Sequence, residues 1–218
     1  MLVGCDAPAP PASSATTGSP PATPTPASTP APARRVVAFI GTSLTAGYGV
    51  GADRAFPAIV QQKIDSAGLP YRVVNAGISG ETSAGGLRRV DWLLQQPVDV
   101  LVLELGANDG LRGLDTDSMK SNLDQIIRHT LAKNPNAKIV IAGMHAPPNL
   151  GPSYTSRFSA VFRELAREHN AVLIPFLLEG VAGVPDLNQD DAIHPTEQGQ
   201  RILANTVWNY LEPLLTRD

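Results

Sequence analysis

Five short aliphatic runs constrain this chain most: residues 35–40, closed by Gly41, then 72–77, 98–105, 137–144 and 171–176. Their apolarity is continuous rather than alternating, the pattern of strands covered on both faces, as in a parallel sheet. Between them the period lengthens to that of a helix. Phe56, Ile59, Val60 and Ile64 share one face, as do Leu87, Val90, Leu93 and Leu94. Met119, Leu123, Ile126 and Ile127 follow, then Phe158, Val161, Phe162 and Leu165, and a closing stretch over 198–211 carries Ile202, Leu203, Val207 and Trp208. Right-handed crossovers place such helices on both faces of the sheet. The expectation is a three-layer α/β/α domain around a mainly five-stranded parallel sheet, with its ligand crevice beyond the C-terminal ends of the strands.

This pattern begins only at Arg34. Residues 1–33 hold one charged side chain, Asp6, and otherwise run in Pro, Ala, Ser and Thr. Such a segment lacks the apolar surface to offset its ordering entropy, so it is expected to be an extended, disordered tether, with one domain over 34–218. The single cysteine, Cys5, stands in Leu2-Val3-Gly4-Cys5. That motif resembles a bacterial lipobox, whose cysteine becomes a lipidated N-terminus. The resemblance implies an exported protein, periplasmic or tethered to a membrane through Cys5. A net charge of -3 without a basic cluster argues against a nucleic-acid partner. A monomer acting on a small molecule is expected.

Polar clusters fall at the strand ends. Gly41-Thr42-Ser43-Leu44 follows the first run, Gly77-Ile78-Ser79-Gly80-Glu81-Thr82-Ser83 the second, and Gly106-Ala107-Asn108-Asp109-Gly110 the third. Asp191-Ala192-Ile193-His194-Pro195 comes before the last helix. Ser43, just past a strand and beside a helix start, suits a nucleophile with backbone N–H groups nearby; the position equally suits an N-cap. His194 suits a general base, and Asp191, three residues earlier, can accept from its imidazole; Asp191 also suits a cap of the following helix. Asn108 can offer a side-chain amide to an oxyanion or close an Asx-turn, and Gly80 can offer an unshielded N–H or make a tight turn.

Other chemistries fit less well. Gly41-Thr42-Ser43-Leu44-Thr45 lacks the second glycine of a G-x-S-x-G elbow, and no nucleotide-binding glycine motif follows the first run. His129 and His169 are not spaced as metal ligands, so neither a metal nor an organic cofactor is expected. The loop of His145, Pro147, Asn149 and Leu150 is the candidate substrate loop, and Leu111, Leu114 and Leu178 are candidate apolar walls.

The four blocks, in this order, resemble those of the SGNH (GDSL-type) hydrolases, in particular the bacterial arylesterase and periplasmic thioesterase/lysophospholipase branch. The likeness runs from about Val36 to about Leu211. It implies a flavodoxin-like SGNH hydrolase fold, a catalytic triad of Ser43, Asp191 and His194, and an oxyanion hole of Ser43, Gly80 and Asn108. The activity it implies is cleavage of short to medium acyl or aryl esters, with thioesters and lysophospholipids as further candidates. A carbohydrate O-deacetylase, or an inactive binding protein on the same scaffold, are the competing classes. One position departs from the pattern. The residue before the serine is usually aspartate and here is Thr42. The departure leaves the catalytic groups intact and alters the hydrogen bonding that steadies the serine loop.

Overall fold

The computed structural model describes Met1 and residues 34–217; the tether and Cys5 lie outside the described residues. Five strands, β1 (Arg35–Gly41), β2 (Tyr71–Gly77), β3 (Val100–Glu104), β4 (Lys138–Ala142) and β5 (Val172–Ile174), form one parallel sheet in the order β2-β1-β3-β4-β5. The long helices are α2 (Phe56–Ser66), α3 (Ser83–Leu93), α5 (Thr116–Lys133), α6 (Pro152–Glu168) and α7 (Glu197–Leu211). α2 packs on α7, and α5 packs on both α3 and α6, so two helices cover one face and three the other. The domain is therefore the expected α/β/α sandwich.

The central strands are buried on both faces: Val37, Ala38, Phe39 and Ile40 of β1 and Leu101 and Val102 of β3 have no exposed surface. β2 differs from that expectation. As an edge strand it is half-buried along most of its length, with Asn75 exposed, because only one neighbour and one set of helices shield it. Phe39 meets Phe56 of α2 edge to face, with ring centroids 5.6 Å apart. Each fully buried side chain of this size contributes roughly 1.5–3 kcal/mol.

Two further helices, α1 (Ser43–Ala46) and α4 (Ala107–Leu111), sit directly on the ends of β1 and β3. At four and five residues they are too short to show a helical period in the sequence. From β1 the chain crosses to β2 on one side, then returns past β1 to reach β3 on the other. The reversal opens a crevice between the C-terminal ends of β1 and β3, where a ligand is held in sheets of this kind.

Candidate active site

β1 ends at Gly41 and the chain turns through Thr42, whose extended backbone and side-chain oxygen cap α1 and leave Ser43 as the first helical residue. The hydroxyl of Ser43 thus stands at the crevice, on a helix start whose backbone N–H groups have no intrahelical partner. From the other end of the domain, the loop before α7 delivers His194. Its Nε2 lies 2.9 Å from Ser43 Oγ, and its Nδ1 lies 2.6 Å from Asp191 Oδ2. A carboxylate can only accept, so Nδ1 carries the proton, and the unprotonated Nε2 of the neutral ring accepts from the Ser43 hydroxyl.

Asp191 does not cap α7; Thr196 does, accepting from Gly199 N. Ala192 instead adopts a left-handed φ of 58°, unusual for a residue other than glycine, and its N–H donates to Gln189 O at 2.8 Å. This tight turn curls the chain around the Asp191 carboxylate, whose Oδ1 accepts from Ile193 N at 2.9 Å and His194 N at 3.0 Å. Hydrogen bonds from the His194 backbone and ring, then from Ile193, push the Asp191 carboxyl down to about 2. Gln189 ties the turn to the serine side by donating to Tyr48 O at 2.8 Å and Pro195 O at 3.0 Å. Tyr48 also lies against the imidazole, ring centroids 4.4 Å apart.

Gly80 of the second block and Asn108 of the third line the same cavity as this hydroxyl. Gly80 turns at a φ of 78°, which a side chain would resist, and Arg112 of the segment after α4 donates to its carbonyl at 2.9 Å. Asn108, in the first turn of α4, donates one amide hydrogen from Nδ2 to Glu81 O at 3.0 Å, which orients the amide and leaves its second N–H. Beneath it the buried Asp109 accepts from Ser83 N at 2.9 Å and Ser83 Oγ at 2.6 Å, joining α4 to the start of α3. Among the described residues neither the Ser43 nor the Gly80 backbone N–H has an acceptor.

Ser43, His194, Gly80 and Asn108 line one cavity of about 490 Å³. Its walls are otherwise mostly apolar: Leu44, Tyr48, Leu111, Met144, Leu178 and Ile193. From the candidate substrate loop only His145 reaches it, its ring stacked on Phe176 at 4.0 Å. Pro147, Asn149 and Leu150 do not line the cavity, which corrects the expectation for that loop. Pro148–Leu150 close a 3₁₀ turn, and Leu150 packs against the core instead, so apolar burial draws the segment away from the crevice. Leu114 is exposed and lines no part of the cavity, whereas Leu111 and Leu178 do. His129 and His169 pair with Asp91 and Asp124 and line no part of it.

Tyr48, Met144 and Ile193 also line the cavity, although none carries a polar motif signal in the sequence. Tyr48 follows the serine block by four residues and Ile193 lies inside the histidine block, and only their partial exposure beside the cavity reveals them.

A carboxylate, imidazole and hydroxyl in line, with amide donors lining the same mostly apolar cavity at a sheet switch point, define a serine ester hydrolase. The model of the GDSL-like lipase/acylhydrolase family matches residues 39–202, and the chain belongs to that family. Esterase TesA of Pseudomonas aeruginosa is 41% identical over 184 residues, covering 84% of this chain and 90% of that relative. Thioesterase 1/protease 1/lysophospholipase L1 of Escherichia coli is 41% identical over 181 residues, covering 82% and 84% respectively. A crystal structure of TesA superposes with a TM-score of 0.79 at 40% identity, covering 83% of this chain and 100% of that one.

Proposed function

We propose that the chain cleaves short to medium acyl or aryl esters, and thioesters and lysophospholipids with acyl chains of that size, through an acyl-enzyme on Ser43. The line from Asp191 through His194 to Ser43, with contacts of 2.6 and 2.9 Å, carries the reading. Ser43 Oγ attacks the acyl carbonyl as its proton passes to His194 Nε2. Asp191 holds the ring tautomer and stabilises the imidazolium. The oxyanion is received by the N–H groups of Ser43 and Gly80 and the free N–H of Asn108. The imidazolium then protonates the departing alcohol or thiol, and water repeats the cycle on the acyl-enzyme.

The apolar walls suit an acyl chain or an aryl ring, and the volume falls within the roughly 300–1,000 Å³ of small-molecule sites. A sugar acetate would ask for several amides and aromatic platforms, whereas this lining offers one amide, Asn108, and one exposed aromatic ring, Tyr48, among mostly apolar side chains, which speaks against the O-deacetylase reading. The names of the relatives, esterase and thioesterase/lysophospholipase, support the same ester and thioester range. The test is Ser43→Ala, measured on p-nitrophenyl esters from acetyl to palmitoyl beside a fatty acyl-CoA and an acetylated oligosaccharide. Turnover and covalent labelling by a fluorophosphonate are both expected to vanish in a folded protein. Persistence of both would remove Ser43 as the nucleophile.

The same reading extends to location. The enzyme is exported and held at a membrane by lipid on Cys5, with residues 6–33 as the spacer; the lipobox-like Leu2-Val3-Gly4-Cys5 and the absence of a second cysteine support it. Metabolic labelling with a palmitate analogue, comparing native Cys5 with Cys5→Ser in a precursor that supplies a signal region, tests the anchor. Equal labelling of both, or of neither, would remove it.

A further inference from the structure

One buried ionisable group has no part in the proton transfers above. Glu104 ends β3, side by side with Gly41 in the β1–β3 register, and its surface is wholly buried. Burial pushes its carboxyl up from the ordinary range, opposed by hydrogen bonds from Thr42 and Thr45. Its oxygens are met by donors from both sides of Ser43. Oε2 accepts from Thr42 N at 2.8 Å and from the Thr45 hydroxyl at 2.7 Å, and Oε1 accepts from the Thr42 hydroxyl at 2.9 Å. Thr42 and Thr45 are themselves buried, so water is not available to replace these bonds. Room for the carboxyl depends on Gly41. A Cβ there would fall 2.7 Å from Glu104 Oε2 and 2.1 Å from Thr45 Oγ1.

The geometry points to Glu104 as a positioning residue of the reaction: a buried carboxylate on the neighbouring strand that bolts both flanks of the serine loop and so sets where Ser43 Oγ stands relative to His194. A neighbouring strand is a stiff base, and a loop that hangs from it by three hydrogen bonds inherits that stiffness. The identity of Thr42 belongs to the same device. An aspartate there would bring a second carboxylate against Glu104, whereas threonine brings a donor, so Thr42 and Glu104 form a matched donor–acceptor pair. Glu104 does not touch substrate; its effect passes through the oxygen that attacks.

This inference rests on Ser43 being the nucleophile, and its test separates the two claims. Glu104→Ala, Glu104→Gln and Thr45→Val are compared for kcat and KM on p-nitrophenyl butyrate and for the rate of fluorophosphonate labelling, with circular dichroism and Tm reporting the fold. Misplacing the nucleophile by about 1 Å can cost about 10²-fold, so folded Glu104→Ala is expected to lose kcat on that order, with KM within about twofold and labelling slowed in parallel. Glutamine keeps an oxygen for Thr42 N and the Thr45 hydroxyl, so Glu104→Gln is expected to recover to a loss of only about three- to tenfold. Thr45→Val, which removes one bond and keeps the shape, is expected to show a loss of similar size in kcat alone. If Glu104→Ala does not fold, the glutamine and valine variants decide by the same split. Wild-type kcat and labelling in both, or a change confined to KM, would overturn the inference. Ser43→Ala runs beside them: continued labelling of that variant would fail the nucleophile itself, while its silence together with unperturbed Glu104 variants would fail only the positioning role.

Discussion

Replacing Asn108 with alanine separates catalysis from folding at a single amide. In the structure Asn108 Nδ2 has two hydrogens, one committed to Glu81 O at 3.0 Å and one left for the developing oxyanion. The first is a part-buried side-chain bond to backbone, and its loss costs about 0.5–1.5 kcal/mol of stability. The second acts mainly in the transition state, where one oxyanion donor contributes about 2.7–4 kcal/mol. At about 1.36 kcal/mol per tenfold, this corresponds to a fall in kcat of about 10² to 10³. KM should move by less than about threefold, since the ground-state carbonyl draws little from that donor. Steady-state kinetics on p-nitrophenyl butyrate give the first quantity, and urea unfolding gives the second as a lower midpoint at unchanged slope. A kcat within about threefold of wild type, or a loss carried entirely by KM, would place Asn108 outside the oxyanion hole and refute the geometric argument.

Two further outcomes follow from the charged groups. Because Asp191 is held down at about 2, below its unfolded value, its contribution to stability is present above that unfolded value and lost only as pH falls toward about 2. It therefore stays ionised in any ordinary assay, so kcat/KM against pH should show no inflection that Asp191→Asn abolishes, and such an inflection would contradict the assignment. Thr42→Asp should set two carboxylates at hydrogen-bond distance in a site where Thr42 and Glu104 are buried, so the pair must share a proton and one carboxyl is raised. A raised carboxyl stabilises below its unfolded value and loses that stability as pH rises through its folded one. The Tm of Thr42→Asp should accordingly drop from pH about 5 to pH about 8 relative to wild type, and parallel Tm curves would show that the pair does not couple.

How far the sequence reaches is visible element by element. The aliphatic runs dictated the strands because a strand covered on both faces needs unbroken apolarity, and the amphipathic stretches dictated α2, α3, α5, α6 and α7 for the complementary reason. Right-handed crossover then carried the four polar blocks to one rim, so Ser43, Gly80, Asn108, Asp191 and His194 could be named as a group before any distance was known. Tertiary structure decided what local periodicity cannot encode. Helices as short as α1 and α4 leave no period, yet they aim Ser43 and Asn108. Glu104 lies in the sequence inside the third aliphatic run, with no motif to mark it; only the β1–β3 register sets it beside Gly41 and under both threonines. Tyr48 against His194 and Gln189 against Tyr48 join residues far apart in the chain, and the loop of Pro147, Asn149 and Leu150 left the cavity because Leu150 had core to bury. Sequence patterns report which residues must be hidden and which elements they build. The 2.9 Å between Ser43 Oγ and His194 Nε2 spans 151 positions, and a distance of that kind exists only once the whole sheet has packed.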